Sequence, residues 1–465
     1  MKFCTHLSTR GSSRLWGGIA GSLLCSSSLV SGIHLDLTST ESITSVASTL
    51  AHGMMIYYNG NLTGGVPGNL PAPYYWWEAG AMFGTLIDYW YYTGDTTYNE
   101  VTTEGLLFQV GPNNDYMPPN QTKTEGNDDQ GFWGLAAMSA AEQKFPDPPE
   151  GSPQWLALAQ AVFNSQAARW DESTCAGGLR WQIFSFNSGY DYKNSISNGC
   201  FFNLAARLAR YTGNATYAEW AVKTYDWVTA VGLMSDKFEV FDGTDDTINC
   251  TRLNHYQWTY NAGVYLLGAA TMYNYTNGSA LWQARTEGIL NATEVFFDPT
   301  VPNVMYEVAC ETINKCDVDQ LSFKAYLARW MAATTKMAAF TTAFVMPKLE
   351  ASALAAAQQC CGGSDGVTCG LKWTQLGVYD GTFGVGQQMS AMEVVASNLI
   401  SKVNPPVTTV SGGTSKGDPS AGTGVVTTPT GDTKSTITGG DKAGAGFLTG
   451  LVLVVVVGGV WWMVA

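Results

Sequence analysis

The chain has 465 residues, 45% hydrophobic and 12% aromatic, with 16 Trp and 22 Tyr, enough for a large core and for spare aromatic surface on which a ligand could stack. Only 13% of residues are charged and the net charge is −14, a balance that repels phosphate backbones and excludes nucleic acid as an expected partner. Beyond a leader-like start the histidines are His34, His52 and His255, and no GxSxG, HExxH or GxxxxGK[ST] pattern occurs, so Ser-His-Asp, zinc and phosphate-loop chemistries lack their parts and carboxylates are the expected acid/base groups.

In chain order, residues 1–32 read as a signal peptide. Lys2, Arg10 and Arg14 precede an apolar run from Leu15 to Leu24, and Val30 and Gly32 fit the small −3/−1 pattern, which puts the mature start near Ile33. Seven Asn-x-Ser/Thr sequons, at Asn61, Asn120, Asn214, Asn249, Asn274, Asn277 and Asn291, fit N-glycosylation along a secretory route. Cys4 and Cys25 would leave with the leader. The remaining Cys175, Cys200, Cys250, Cys310, Cys316, Cys360, Cys361 and Cys369 suggest four disulfides of unread connectivity. Zinc at Cys360, Cys361 and Cys369 is the weaker alternative, lacking CxxC spacing or a nearby His, and no metal or cofactor is expected.

Residues 33–400 read as one domain. Its first helical stretch, "WWEAGAMFGTLIDYWYY", opens with Trp76, Trp77 and Glu78, which are expected at a cleft rim; core packing explains the tryptophans equally well. Similar joints recur at "YTGDTTYNEV", "DPPEGSPQWLALAQAVF", "YTGNATYAEWA" and "YTNGSALWQA". Capping boxes are read at Thr97 with Glu100 and at Thr216 with Glu219, and Ser152 with Pro153 reads as a helix start. The joints fall about 60 residues apart, the length of one helical hairpin, so the domain holds about six hairpins. The expected fold is all-α, an (α/α)6 barrel, with an open α-solenoid as the alternative.

Asp128 and Asp129 stand back to back in "EGNDDQGFWGLAAMSA", where a loop becomes an apolar helix expected to begin near Gln130. Asn127 or one aspartate could cap that helix; metal ligation has little support; a catalytic pair is the third reading. Retaining glycosidases hold two carboxyl groups about 5–5.5 Å apart. A helix N-terminus would keep one Asp ionised while repulsion and burial raised the other. Phe132, Trp133 and Leu135 offer a wall for sugar stacking. Further candidates are Trp181, Asn194 and Asn198 in "GLRWQIFSFNSGYDYKNSISNG", and His255, Gln257, Trp258 and Tyr260 in "NHYQWTYN". A second pair, Asp245 and Asp246, reads as an exposed turn. Some oxygens in the 178–199 stretch could also ligate calcium, without EF-hand spacing.

From residue 401 to 440 the chain turns to Ser, Thr, Gly and Pro, a composition that cannot bury a core and suits an O-glycosylated stalk. Residues 441–465 end in "GFLTGLVLVVVVGGVWWMVA", which reads as a GPI-attachment propeptide with Gly439 or Gly440 as the ω site; a retained C-terminal membrane helix is the alternative.

"WWEAGAMF", "GNDDQGFWGLAAMSAAE", "GGLRWQI", "NSISNG", "YTGNATYAEWA" and "NHYQWTYNAG" together resemble glycoside hydrolase family 76, α-1,6-mannanases with an (α/α)6 barrel. More narrowly the chain is similar to the fungal GPI-anchored branch at the plasma membrane and cell wall, over about residues 35 to 400. The resemblance implies a retaining mechanism with Asp128 as nucleophile and Asp129 as general acid/base. It also implies α-1,6-linked mannose glycans as substrate, with the GPI-anchor core as donor and cell-wall glucan as acceptor. A non-catalytic mannose-glycan-binding component of the cell wall is the second expectation.

Overall fold

The computed structural model describes residues 32–423 and the isolated helical positions Thr449 and Leu453. The expected leader, apart from Gly32, and the ω-like Gly439 and Gly440 lie outside the described residues. Two compact units are present, Met1–Val425 and Val426–Ala465.

The first unit carries twelve helices among its described residues: α1 (Thr40–Met55), α2 (Trp76–Thr93), α3 (Asn99–Phe108), α4 (Asn127–Gln143), α5 (Trp155–Ala167), α6 (Ser195–Thr212), α7 (Ala215–Ala230), α8 (Thr259–Tyr275), α9 (Ala280–Ala292), α10 (Phe323–Met337), α11 (Thr342–Gln359) and α12 (Val385–Ala396). Short strands β1 (Tyr192–Asn194), β2 (Gly243–Asp245) and β3 (Leu253–Asn254) form one antiparallel sheet, and β4 (Cys360–Gly362) pairs with β5 (Thr368–Cys369).

The even-numbered helices form a ring. Each packs on the next, from α2 through α12, and α12 packs back on α2, which closes the toroid. The odd-numbered helices lie outside, α3, α5, α7 and α9 each against the inner helix before it, and α1 against α12. This is the expected (α/α)6 barrel rather than an open solenoid. Inner helices are enclosed on all sides: from Gln130 to Glu142 every residue of α4 is buried. Their small residues set the spacing. A Cβ on Gly80 would lie 2.8 Å from the Trp133 ring, and one on Gly131 2.7 Å from Cys200 Cβ, so only glycine lets α2 meet α4 and α4 meet α6 there.

The turns at Gly94 and Gly213 end α2 and α6 in the left-handed region, with φ of 74° and 73°. The helix starts differ from the sequence reading. Tyr98 precedes α3, with Asp95 accepting from Thr97 N at 2.9 Å; Asn214 caps α7 by accepting from Thr216 N at 3.0 Å; α5 begins at Trp155, beyond Ser152 and Pro153. In the first two places an Asp or Asn two residues upstream of the expected Thr accepts the bond, because an Asx side chain reaches the backbone N–H two residues on.

Seven of the eight cysteines expected in disulfides are disulfide-bonded, Cys361 among them, and Cys200 is not. Among the described residues Cys175–Cys250, Cys310–Cys316 and Cys360–Cys369 are bonded, which also removes the zinc reading, whereas Cys200 is a buried free thiol in the α4–α6 seam.

Residues 407–421, within the segment expected to be a stalk, are hydrogen-bonded to the barrel. Val407 N donates to Glu142 O at 2.8 Å and Thr409 N to Tyr211 O at 3.0 Å, satisfying carbonyls in the last turns of α4 and α6. Beyond them Ser415 Oγ accepts from Leu156 N at 2.9 Å, Asp418 N donates to Gln160 at 2.6 Å, and Ala421 O accepts from Asn164 at 2.7 Å. A segment without a core of its own is ordered here because it supplies the partners that helix ends lack.

At the end of the ring where α2 finishes, Arg329 pairs with Asp88 at 2.7 Å and with Glu393 at 2.5 Å, joining α10, α2 and α12. Replacing Arg329 with Met should strand two buried carboxylates and lower the unfolding free energy by about 3–5 kcal/mol, a loss to be read from urea denaturation followed by tryptophan fluorescence.

Candidate active site

At the opposite end of the ring, where the inner helices begin, lies a cavity of about 510 Å³. Trp76 and Trp77 enter it from the first turn of α2, Asp128, Asp129 and Phe132 from α4, Asn194 from the residue before α6, Tyr260 from α8 and Phe323 from α10. The loop before α4 adds Glu125, and an antiparallel bridge between Gly126 and Gln182 brings Trp181 and Gln182 to the rim. Trp181 is 37% exposed, which leaves its face open for stacking on a sugar ring. Tyr260 lies flat on Phe323, with centroids 3.7 Å apart and planes 8° from parallel, and forms the opposite wall.

The aspartates occupy the second and third positions of α4, which starts at Asn127 with Gly126 as N-cap, three residues earlier than the sequence suggested. Asp129 does half of the capping work, its Oδ2 accepting from Gly126 N at 2.7 Å. Asp128 Oδ1 is buried without a hydrogen-bond partner among the described residues, and the nearby N–H groups of Asp128 and Asp129 and the side chain of Asn194 act against burial in favour of its anion. Burial pushes both carboxyls above the ordinary range, and the charge of Asp128 pushes Asp129 further. The donors around Asp128 favour its anion, so Asp129 is the member that keeps the proton. Cap and carboxylate pair are therefore the same two residues.

Five carboxylic acids line the cavity, and among its described lining residues none is Lys, Arg or His. Burial raises Glu125 well above its usual range, reinforced by Asp129 and opposed by Arg169. Asp319 is pushed up to about 6 by burial against a 3.0 Å hydrogen bond from Trp77 Nε1. Asp242, raised by burial, accepts from Tyr192 at 2.6 Å, Trp258 at 3.0 Å and Asn254 at 3.1 Å. Such acids can both donate to and accept from hydroxyl groups, as a polyol ligand requires.

Of the sequence candidates, Asp128, Asp129, Trp76, Trp77, Phe132, Trp181, Asn194 and Tyr260 meet in the cavity, and Glu78, Trp133, Leu135, Asn198, His255, Gln257 and Trp258 do not. Trp133 follows Phe132, so it points about 100° away around the helix; it stacks beneath Trp76 at 4.9 Å and has no exposure. Glu78 is wholly buried behind the rim, raised by burial and by Asp319, with neither oxygen hydrogen-bonded. Asn198 ties Leu179 to α6 through bonds of 2.8 and 3.0 Å. His255 is exposed with its ring against Phe241 at 4.5 Å, and Gln257 lies outside the lining. Asp245 caps a turn through Thr247, while Asp246 is a buried partner of Arg180 and not the exposed residue expected.

Glu125, Asp242 and Asp319 escaped the sequence reading. Asp242 stands three residues before the Asp245–Asp246 pair noted in the sequence, but nothing local marks Asp319, whose partner Trp77 is 242 residues away. The seven sequon asparagines are all exposed.

Gly126 is required by the narrow space beside the Asp128 carboxylate: a Cβ there would lie 2.3 Å from Asp128 Oδ1 and 3.0 Å from Trp181 O. Gly126→Ala should therefore displace the Asp128 carboxylate and lower turnover by about 10²-fold while the circular-dichroism melting curve stays close to that of the unsubstituted protein.

The comparisons agree with this geometry. The family model for glycosyl hydrolase family 76 matches residues 42–410. The chain is 48% identical over 450 residues to mannan endo-1,6-alpha-mannosidase DCW1 of Saccharomyces cerevisiae, covering 96% of this chain and 98% of that one. It is 46% identical over 431 residues to the same organism's mannan endo-1,6-alpha-mannosidase DFG5, covering 92% and 93%. Among solved structures, Dfg5 from Chaetomium thermophilum in complex with glucosamine superposes with a TM-score of 0.80 at 49% identity, covering 84% of this chain and 97% of that one. The fold alone is shared with an inactive variant of an α-1,6-mannanase from Salegentibacter, solved with α-1,6-mannotriose, at a TM-score of 0.61 and 18% identity, covering 77% and 99%. With the ring closed, the paired aspartates at its open end and the family model matched over most of its length, the chain belongs to glycosyl hydrolase family 76 and is a glycoside hydrolase.

Proposed function

We propose that the protein is a retaining α-1,6-mannosidase and transglycosidase of the cell surface, with the mannose core of GPI anchors as donor and cell-wall glucan as acceptor. The observation that carries the reading is the adjacent Asp128 and Asp129 in the cavity lining, both raised by burial, Asp128 to about 7, with Asp129 pushed further by the charge of Asp128. Asp128 would attack the anomeric carbon as the glycosidic C–O bond breaks, and the Asp129 proton would pass to the departing oxygen. In the second half Asp129 would take a proton from water or from a glucan hydroxyl as that oxygen displaces Asp128. Either acceptor balances the same sequence of steps.

The substrate class is supported by the names of the fungal relatives and by the bacterial mannanase, whose inactive variant has two adjacent aspartates changed to asparagine. The GPI core joins α-linked mannose to glucosamine, and the fungal relative of known structure was solved with glucosamine, an amine-bearing sugar. A cavity with five acids and no lining cation would favour such a group. Seven exposed sequons, the leader-like start and the small-residue stretch around Gly439 and Gly440 support a protein held at the outer leaflet by a GPI anchor or resident in the wall.

The test is incubation with a synthetic GPI-core mannoside and a soluble β-glucan oligosaccharide, with products separated by mass spectrometry and their anomers read by NMR. A mannosyl–glucan product with retained configuration is expected; release without transfer would leave hydrolysis alone, and binding without turnover would make the protein a non-catalytic glycan-binding wall component. Asp128→Asn should abolish turnover, and Asp129→Asn should lower it by about 10²–10⁴-fold, each with glycan binding retained in calorimetry. Turnover should follow a bell-shaped pH profile. Activity rises as Asp128 loses its proton and falls as Asp129 loses its own, so Asp129→Asn should flatten the alkaline limb.

A further inference from the structure

The paired aspartates stand between two amides: Asn127, Asp128, Asp129 and Gln130 are the first four residues of α4. Successive residues of a helix point about 100° apart, so Asn127 and Gln130 share one side of this turn and the aspartates take the opposite side. The structure shows that division. Asp128 and Asp129 line the cavity, whereas Asn127 and Gln130 are buried behind it at 2% and 0% exposure.

Behind the turn sits Arg169, two residues past the end of α5. Its Nε donates to Asn127 Oδ1 at 2.8 Å and its Nη2 donates to Gln130 Oε1, so one planar guanidinium joins the amides on either side of the pair. Its Nη1 is turned to Met117 Sδ at 3.6 Å. The amide nitrogens are held as well: Asn127 Nδ2 donates to Arg180 O at 2.8 Å, and Gln130 Nε2 to Asp115 O at 2.7 Å and to Ser165 Oγ at 2.9 Å. Gln166 Nε2 adds a bond to Asn127 O at 2.7 Å. Neither amide can turn over without losing bonds at both of its ends. Asp115 and Glu125 act on the Arg169 charge from nearby, yet no side-chain oxygen of either accepts a hydrogen bond from it. The fork is given to two neutral amides although carboxylates are close, which marks its shape rather than its charge as what the site uses.

The first turn of a helix has no preceding turn to hold its N–H groups, and helix ends fray. We propose that Arg169 is a positioning residue for the reaction: by holding Asn127 and Gln130 with one guanidinium it fixes the rotation of this turn, and so aims Asp128 and Asp129 into the cavity. The proposal rests on the reading of those two aspartates as the reacting pair.

Arg169→Lys and Gln130→Met test it. Lysine keeps the charge but offers one ammonium in place of the fork, and methionine keeps the unbranched shape of Gln130 while removing its acceptor. kcat and KM for α-1,6-mannotetraose are measured for each variant and for the double variant, with folding followed by circular dichroism. Each single variant should lose about 10–10²-fold in kcat with KM nearly unchanged. The double variant should fall no further than the worse single one, since both changes break the same clamp. An unchanged kcat in folded Arg169→Lys overturns the proposal, because charge alone would then suffice; a loss confined to KM, or losses that add, overturn it too. Should Arg169→Lys not fold, Gln130→Met decides by the same kcat criterion. Asp128→Asn and Asp129→Asn are measured alongside: full turnover in both sinks the reading of the pair and the clamp with it, whereas a failed clamp alone leaves both impaired.

Discussion

Five inner helices, α2, α4, α6, α8 and α10, bring residues at their N-terminal ends into one cavity, and the rest of the site depends on that convergence. Five carboxylic acids share about 510 Å³ with no lining Lys, Arg or His, an arrangement that mutual repulsion would disperse in a site built from strands. The exposed N–H groups and positive dipole ends of the first helical turns supply the compensating field. Closing the ring, α12 against α2, is what aims them at a common centre. The fold thus provides the electrostatics before any particular side chain does.

Within that common field the two aspartates are made unequal by short-range contacts. The nearby helix N–H groups and the Asn194 side chain favour the Asp128 anion; Asp129 accepts from Gly126 N and faces the charge of its neighbour. Adjacent positions at the start of a helix suit the pair because one can enter the field while the other turns back to cap it. The capping bond is part of the chemical arrangement, since it holds Asp129 where the Asp128 anion keeps it protonated. Gly126 completes the corner, for no larger residue fits between Asp128 and the Trp181 carbonyl.

Positioning comes from groups that never enter the cavity. Lys193 binds three carbonyls behind β1, Asn198 ties the 179 loop to α6, and Arg180 bridges Asp171 and Asp246. These polar contacts are buried, so each is worth more than its surface counterpart and each is costly to leave half-made. At the other end of the ring, residues 407–421 satisfy carbonyls of α4 and α6 and donors of α5, which adds a polar strap to the barrel.

The sequence by itself determined the class of fold and the place of the chemistry. The hairpin period, the Thr-Gly turns at Gly94 and Gly213, the small residues in apolar helices and the Asp128–Asp129 pair are all local signals, and local sterics and hydrogen bonding enforce them. It could not separate Trp76, Trp77 and Trp181 from Trp133, because facing cavity or core is a rotation of about 100° along a helix whose every side is apolar. Nor could it find Asp319, which acquires meaning only from a tryptophan 242 residues distant, or show that Cys200 stays a free thiol. Those outcomes depend on which helix closes against which, and burial across the closed ring decides them.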